Sequence, residues 1–461
     1  MPAETDTLRV AIVGSGPAGF YAAEHLFKQD IPLSVDMFDR LPTPFGLVRG
    51  GVAPDHQKIK GVTKVYDRVA TQPNFRFFGY VELGKDIQLD EMRHFYHAII
   101  LTTGAQTDKK LGIPGEDLER SHPATEFVAW YNGHPDFRHL TFDLSQERVA
   151  VIGVGNVAVD VARILSRTPD ELRETDIADY ALEALAESQI KEVYLLGRRG
   201  PAQAAFTNPE IKELGELAGA DCIVLPEEAE LDPLSAHYLK EAKDRQLTQK
   251  VEIIQSYADR QPNKPKKLFV RFLVSPTEIH DDGQGGVGAM TLVHNELFRN
   301  DIGAIHSRST DKFEKLACGL VFRSIGYRGV PISGVPFRDD WGTVPNAGGR
   351  VLDGPTGPQV PGLYTAGWIK RGPSGVIGTN KPDAVETVTN LLEDHAEGML
   401  PTPDHPDPAA LEALVRKRQP NFFSYADWLR LDALELSRGE ATGRPRLKFT
   451  TIDDMIAALK E

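Results

Sequence analysis

A strand that runs into a glycine-rich turn and leaves it as a helix occurs twice in this chain. The first copy joins the apolar run Leu8–Val13 to Gly14-Ser15-Gly16-Pro17-Ala18-Gly19, and helical spacing follows at Ala22, Ala23, Leu26 and Phe27. A second strand, residues 33–38, ends on Asp39. The second copy joins residues 149–152 to Gly153-Val154-Gly155-Asn156-Val157-Ala158, followed by a helix over 159–165. Its next strand, residues 193–196, ends on Gly197-Arg198-Arg199. Glycines in such a turn let backbone amides approach a pyrophosphate, which sits at a helix N-terminus where the dipole favours an anion. Two such units predict an α/β chain with two Rossmann-like dinucleotide-binding domains.

The two copies differ where the nucleotide ribose would lie. In the first, Gly14, Gly16 and Gly19 are followed by Asp39, whose carboxylate suits ribose 2′- and 3′-hydroxyls and repels a 2′-phosphate. That ligand is therefore FAD or NAD rather than NADP. Two later segments favour FAD. Residues 97–101 end in Thr102-Thr103-Gly104-Ala105, and residues 363–366 end in Gly367-Trp368, as strands do where a reductase chain returns to touch its flavin. In the second copy, Gly153 and Gly155 are followed by Arg198 and Arg199, and guanidinium forks match a 2′-phosphate. The second ligand is expected to be NADPH.

Cysteine and charge narrow the chemistry. Cys222 and Cys318 stand alone among 461 residues. They allow no disulfide framework, no Cys-x-x-Cys zinc site and no iron–sulfur cluster held by this chain, and no metal is expected. They also provide no redox-active cysteine pair, which separates the chain from glutathione- and thioredoxin-reductase-like enzymes. The clusters of glutamate synthase small subunits are excluded in the same way. The net charge of −14 argues against nucleic acid and against anionic membrane surfaces. No run approaches the roughly 18 apolar residues of a membrane helix. Residues 1–8 are short, polar and acidic, unlike a secretory or mitochondrial leader, so a cytoplasmic location is expected.

Between the two motifs and beyond them the sequence is less explicit. Residues 166–189 form a polar insertion with helical spacing, and 226–267 read as charged, irregular surface. A hairpin is expected from 268–275 and 288–297 around Asp281-Asp282-Gly283. The tail beyond Pro401 has helical segments and no catalytic signature. The position of the second motif requires that its domain be inserted into the first.

With both motifs in place, the chain resembles the adrenodoxin reductase-like NADPH–ferredoxin reductases, bacterial members included. The resemblance rests on Pro44-Phe45-Gly46-Leu47-Val48-Arg49, Val52-Ala53-Pro54-Asp55-His56, residues 155–163 and Gly197-Arg198-Arg199-Gly200-Pro201. It rests also on Ala205-Phe206-Thr207, Gly367-Trp368-Ile369-Lys370-Arg371-Gly372-Pro373 and residues 375–380. It covers essentially the whole chain. It implies FAD contacts at Ala18, Asp39, Leu47, Val81, Trp368, Gly375, Val376 and Ile377. It implies NADP contacts at Gly155, Asn156, Val157, Arg198, Arg199, Glu210 and Gly375. Asp39 is Glu in many relatives, and Val154 replaces a Gln or Asn. The family guides the expected boundaries: a discontinuous FAD domain over 1–108 and 332–461, with an NADP domain over 109–331.

The activity implied is hydride transfer from NADPH to FAD and release of single electrons to a ferredoxin, an acidic iron–sulfur protein. That ferredoxin would in turn supply a cytochrome P450 or another ferredoxin-dependent enzyme. Flavin does the chemistry, and the protein must hold the nicotinamide against it at about 3–3.5 Å. His56 and Asp160 are candidates for positioning or proton relay, and Glu213 for orienting the nicotinamide amide. Basic residues expected to meet an acidic partner are Lys28, then Lys240, Lys243 and Arg245, then Lys370 and Arg371. Two other functions fit the same folds: an NADPH oxidase or quinone reductase, and a non-enzymatic NADP(H)-binding sensor. The sensor would have no use for the segment from Trp368 to Gly375.

Overall fold

The computed structural model describes residues 7–460. The acidic residues read above at 1–6 lie outside them. The chain divides into two compact units. One comprises Met1–Val52, His56–Thr107 and Tyr327–Glu461, the other Ala53–Asp55 and Asp108–Gly326. The divisions fall at 107/108 and 326/327, against the expected 108/109 and 331/332, and three residues near position 54 are counted with the second unit. Tyr327 and Arg328 fall to the first unit because Gln106 N–H donates to the Arg328 carbonyl at 3.0 Å.

The first unit is built on a seven-stranded sheet. Its order is Asn346–Ala347, Arg350–Leu352, Gln359–Thr365, Ala98–Leu101, Leu8–Val13, Leu33–Asp39, Phe75–Gly79. The last five are parallel, with Val10 opposite both Val35 and Ala98. Leu8, Val10, Ala11 and Ile12 are fully buried. A strand covered on both faces in this way reads as a continuous apolar run rather than an alternation. Helix Pro17–Leu26 packs on one face beside helix Asn380–Ala396. Helix Tyr425–Glu440 adds Trp428 and Leu431 to the same core, so the tail is part of this unit's interior.

The second unit carries a six-stranded parallel sheet, ordered Ser121–Pro123, Leu320–Arg323, Arg148–Ile152, Glu192–Leu196, Lys266–Arg271, Ala220–Ile223. A three-stranded antiparallel sheet, Val274–Asp281, Val287–Arg299 and Ile305–Ala317, accompanies it. Two expectations need correction here. The segment 226–267 is not irregular: it forms helices Pro226–Ala229, Pro233–Ala242 and Arg245–Ala258, the last burying Leu247, Val251, Ile254 and Tyr257. Those four positions are a helical stripe that the surrounding Lys, Gln and Glu residues obscure. Residues 268–271 are not a hairpin arm but an inner strand of the parallel sheet; the hairpin begins at Val274. Its third strand, Ile305–Ala317, has no strong sequence signature because one face is largely exposed.

Candidate functional site: two nucleotide turns

In the first unit the glycine-rich turn is shaped by steric contact. Gly14 has φ +108°, and a Cβ there would stand 2.6 Å from the Thr102 carbonyl oxygen. Only glycine tolerates both conditions. The Thr102 hydroxyl donates to the Gly14 carbonyl at 2.7 Å and locks the turn to the neighbouring strand end. Gly16 is the N-cap of helix Pro17–Leu26, with Pro17 in the first turn and no side chain capping it. Its first amides are therefore available to an external acceptor.

Asp39 lies at the end of its strand beside this turn. One carboxylate oxygen accepts from the Ser15 amide at 2.9 Å and hydroxyl at 2.5 Å; the other accepts from the Leu41 amide at 2.9 Å. The oxygen facing Leu41 keeps a further lone pair for a ribose hydroxyl. Val81 is buried and donates its N–H to the Asp39 carbonyl at 2.8 Å. From far along the chain, Gly367 approaches so closely that a Cβ there would meet the Ala18 Cβ at 2.6 Å. Trp368 follows, half-buried, its ring 5.4 Å from that of Tyr327. The loop at Phe45 reaches the same turn, its N–H donating to the Ser15 carbonyl at 2.9 Å. Gly16, Ala18, Asp39, Val81 and the start of Trp368 thus converge. Leu47 and Val376 are apolar yet 39% and 51% exposed, as suits side chains that a ligand would cover. Gly375 is exposed beside Val376, and Ile377 is half-buried. An uncapped helix end, an acid at the end of the neighbouring strand and uncovered apolar groups fit FAD.

His56, also in this unit, opens the short helix Gln57–Lys60; its carbonyl accepts from the Ile59 amide at 3.1 Å.

The second unit repeats the turn. Gly153 has φ +127°, packed against the Ser324 carbonyl, and Gly155 caps helix Asn156–Ser166 without a side-chain hydrogen bond. The Asn156 side-chain oxygen accepts from the Thr207 amide at 3.0 Å, joining this turn to helix Asn208–Leu214. Val157 packs partly buried against the core. Val154 fills the space beside Gly197, and its carbonyl accepts from the Ala205 and Phe206 amides.

Arg198 is exposed and Arg199 half-buried, and among the described residues neither forms an ion pair. Burial and then the neighbouring Arg198 charge hold Arg199 below the usual guanidinium range. Two adjacent guanidiniums with no acid between them are poised for an anion, and that fits a 2′-phosphate. Their backbone is fixed by a residue that sequence reading missed: buried Asn295 donates to the Arg198 carbonyl at 2.9 Å and to the Ser275 hydroxyl at 2.8 Å.

A second unforeseen residue gathers three of the expected ones. Arg163 is fully buried, and its guanidinium lies 2.7 Å from Asp55, 2.7 Å from Asp160, 3.3 Å from Glu210 and 3.7 Å from Glu213. Burial opposes its charge, but Asp160, Asp55 and Glu210 more than offset this, so its proton is held more tightly than in water. Asp160, Glu210 and Glu213 are therefore oriented as one set. The only forewarning in the sequence is an arginine on the buried side of helix Asn156–Ser166.

The basic groups expected at a partner surface separate clearly. Lys370 is buried, 3.0 Å from Asp383 and 2.6 Å from Glu386. Arg371 donates to Ser374, Thr379 and Asn380. These two brace the Gly367 turn, and buried Lys370 offers no docking surface. Lys28 is exposed but paired with Glu24 at 2.7 Å. Lys240, Lys243 and Arg245 are exposed and form no ion pair among the described residues.

Residues 8–199 match the pyridine nucleotide-disulphide oxidoreductase family. Over 459 residues the chain is 46% identical to the NADPH-ferredoxin reductase FprA of Mycobacterium tuberculosis, covering 97% of this chain and 98% of that protein. It is 41% identical over 466 residues to the mitochondrial NADPH:adrenodoxin oxidoreductase of Arabidopsis thaliana, covering 99% and 96%. The solved structure of M. tuberculosis FprA in complex with NADPH superposes with a TM-score of 0.91 at 43% identity, over 99% of this chain and 100% of that one.

Proposed function

This chain belongs to the family of NADPH–ferredoxin reductases, and from that premise we propose how its residues divide the work. The protein is a flavoprotein oxidoreductase that uses FAD and NADPH and reduces a ferredoxin. One observation carries the assignment of the two sites. The turns at Gly14 and Gly153 share their geometry, yet one is completed by Asp39 and the other by the Arg198–Arg199 couple, which forms no ion pair among the described residues.

When bound, FAD would supply the redox chemistry that links a two-electron hydride donor, NADPH, to a one-electron acceptor. The chain's own contribution is binding and orientation. The amides of Gly16, Ala18 and Gly19 receive the FAD pyrophosphate, and Asp39, held by Ser15, receives the ribose hydroxyls. Leu47, Val81, Trp368, Gly375, Val376 and Ile377 enclose the rest. Gly155, Asn156 and Val157 receive the NADP pyrophosphate, while Arg198 and Arg199 receive its 2′-phosphate. Asp160, Glu210 and Glu213, ordered by Arg163, orient the nicotinamide half, and His56 positions or relays a proton. Lys240, Lys243 and Arg245 form the basic surface for an acidic ferredoxin, which in turn supplies a cytochrome P450 or a similar acceptor. Among the described residues no helix is long and apolar enough to cross a membrane. A cytoplasmic setting is proposed, with Cys222 and Cys318 free and buried.

Anaerobic titration of the purified yellow protein tests the two-site reading. NADPH is expected to bleach the flavin stoichiometrically, and NADH only at far higher concentration. A colourless protein, or equal bleaching by both, would contradict it.

A further inference from the structure

We propose that Glu435, in the C-terminal helix Tyr425–Glu440, is a positioning residue for the flavin-binding loop 44–51 and acts on it through Arg49. The inference rests on the assignment of FAD to the turn at Gly14.

The loop has little to hold it in shape by itself. Its helix, Leu47–Gly50, is a single turn of four residues, too short to persist on its own. Phe45, just before it, sits at φ +83°, a region that a bulky side chain enters only when its surroundings compel it. Yet this loop must be exact. Phe45 is bonded to the nucleotide turn at Ser15, and Leu47 is one of the residues assigned above to the flavin.

The compelling contacts come from the tail. Trp428 stands edge-on to Phe45, ring centroids 5.6 Å apart, and its face lies 5.1 Å from the Arg49 guanidinium. Arg49 is bound at both prongs by Glu435, at 2.6 and 2.8 Å. Glu435 is wholly buried and fully used: it also accepts from Arg446 at 3.1 Å and from the Phe449 amide at 2.9 Å. Arg446 is in turn fixed by Asp432 at 2.5 Å. Burial opposes the charge on Glu435, but Arg49 and Arg446 more than offset this and keep it an anion. A bidentate guanidinium–carboxylate pair sets both distance and plane. Arg49 lies two residues beyond Leu47 in the same turn, so its anchoring by Glu435 also restrains the backbone that carries Leu47.

The test is Glu435→Gln, which keeps the shape and removes the charge. Thr451→Ala serves as control for general loss of stability, because it removes the hydroxyl capping the last helix and does not touch Arg49. Apoprotein of each is titrated with FAD by fluorescence, and the visible circular dichroism of the bound flavin is recorded. Glu435→Gln is expected to raise the FAD Kd by about tenfold or more and to alter the flavin dichroism, as loss of a charge-assisted pair implies. Thr451→Ala should match wild type in both. A Glu435→Gln protein with wild-type Kd and dichroism overturns the proposal, whatever its melting temperature. Should that variant not fold, Arg49→Lys retains the charge without the fork, and an unchanged Kd there overturns it equally. A wild-type chain that takes up no FAD at all would refute the cofactor assignment first, and this role with it.

Discussion

Replacing Arg198 and Arg199 together by Ala should convert an NADPH-selective protein into one that scarcely distinguishes NADPH from NADH. Among the described residues neither guanidinium is engaged with an acid, so a bound 2′-phosphate need break no ion pair there. Charge-assisted hydrogen bonds contribute roughly 1.5–3 kcal/mol each. Arg199, half-buried, should lie towards the upper end, and Arg198, exposed and screened by solvent, at or below the lower. Together they contribute about 3–4 kcal/mol, and at about 1.4 kcal/mol per tenfold this is a loss of a few hundred-fold in kcat/KM for NADPH. NADH, which lacks the phosphate, should lose less than about threefold. The double variant should fold at least as stably as wild type, because removing two neighbouring like charges relieves repulsion. Stopped-flow flavin reduction with each nucleotide, alongside thermal melting, gives all three quantities. Equal losses with NADPH and NADH would refute the reasoning, as would a marked fall in melting temperature.

Other consequences are open to simple assays. His56→Gln should slow flavin reduction by NADPH in stopped flow while leaving FAD bound; loss of FAD instead would assign His56 to structure alone. Burial pushes the Cys222 and Cys318 thiols up to about 12, so neither should react with a thiol reagent at pH 8 until the protein is unfolded. Labelling of the folded protein would contradict their burial. His122 is pushed down to about 4 by burial and then by Arg323, with the Phe142 ring 4.9 Å away. A folded value below the unfolded one means its contribution is complete above pH 6.5 and lost as pH falls towards 4. His122→Phe should therefore be less sensitive than wild type to acid over that range, by roughly 2 kcal/mol in urea unfolding. An unchanged pH profile would exclude His122 as a source of the acid sensitivity.

What could be read from the sequence was local. Strand Leu8–Val13, the turn at Gly14 and the acid at Asp39 lie within one βαβ unit, where spacing alone brings them together. The Arg198–Arg199 couple was legible for the same reason. Contacts between distant segments were not. Nothing in the chain indicates that Asp55 meets Arg163, that Asn295 fixes the Arg198 backbone, or that Glu435 meets Arg49 across 386 positions. Lys370 and Arg371 illustrate the opposite error. A basic pair beside Trp368 suggests a docking surface, yet Asp383 and Glu386, one helical turn apart, draw Lys370 inward. Helix Arg245–Ala258 was hidden because its four buried residues are spread among charged and amide side chains.

The most direct test follows electrons out of the protein. With NADPH as donor, reduction of a small acidic ferredoxin is measured beside that of a quinone and of ferricyanide along one salt titration. Ferredoxin should be reduced faster than the quinone. The ferredoxin rate should fall as salt passes about 0.1 M, where the Debye length shortens to about 10 Å and steering by Lys240, Lys243 and Arg245 is screened. Ferricyanide, which needs no extended surface, should follow a different salt dependence. A ferredoxin rate that is flat with salt, or a quinone reduced far faster than any ferredoxin, would contradict this assignment of the acceptor.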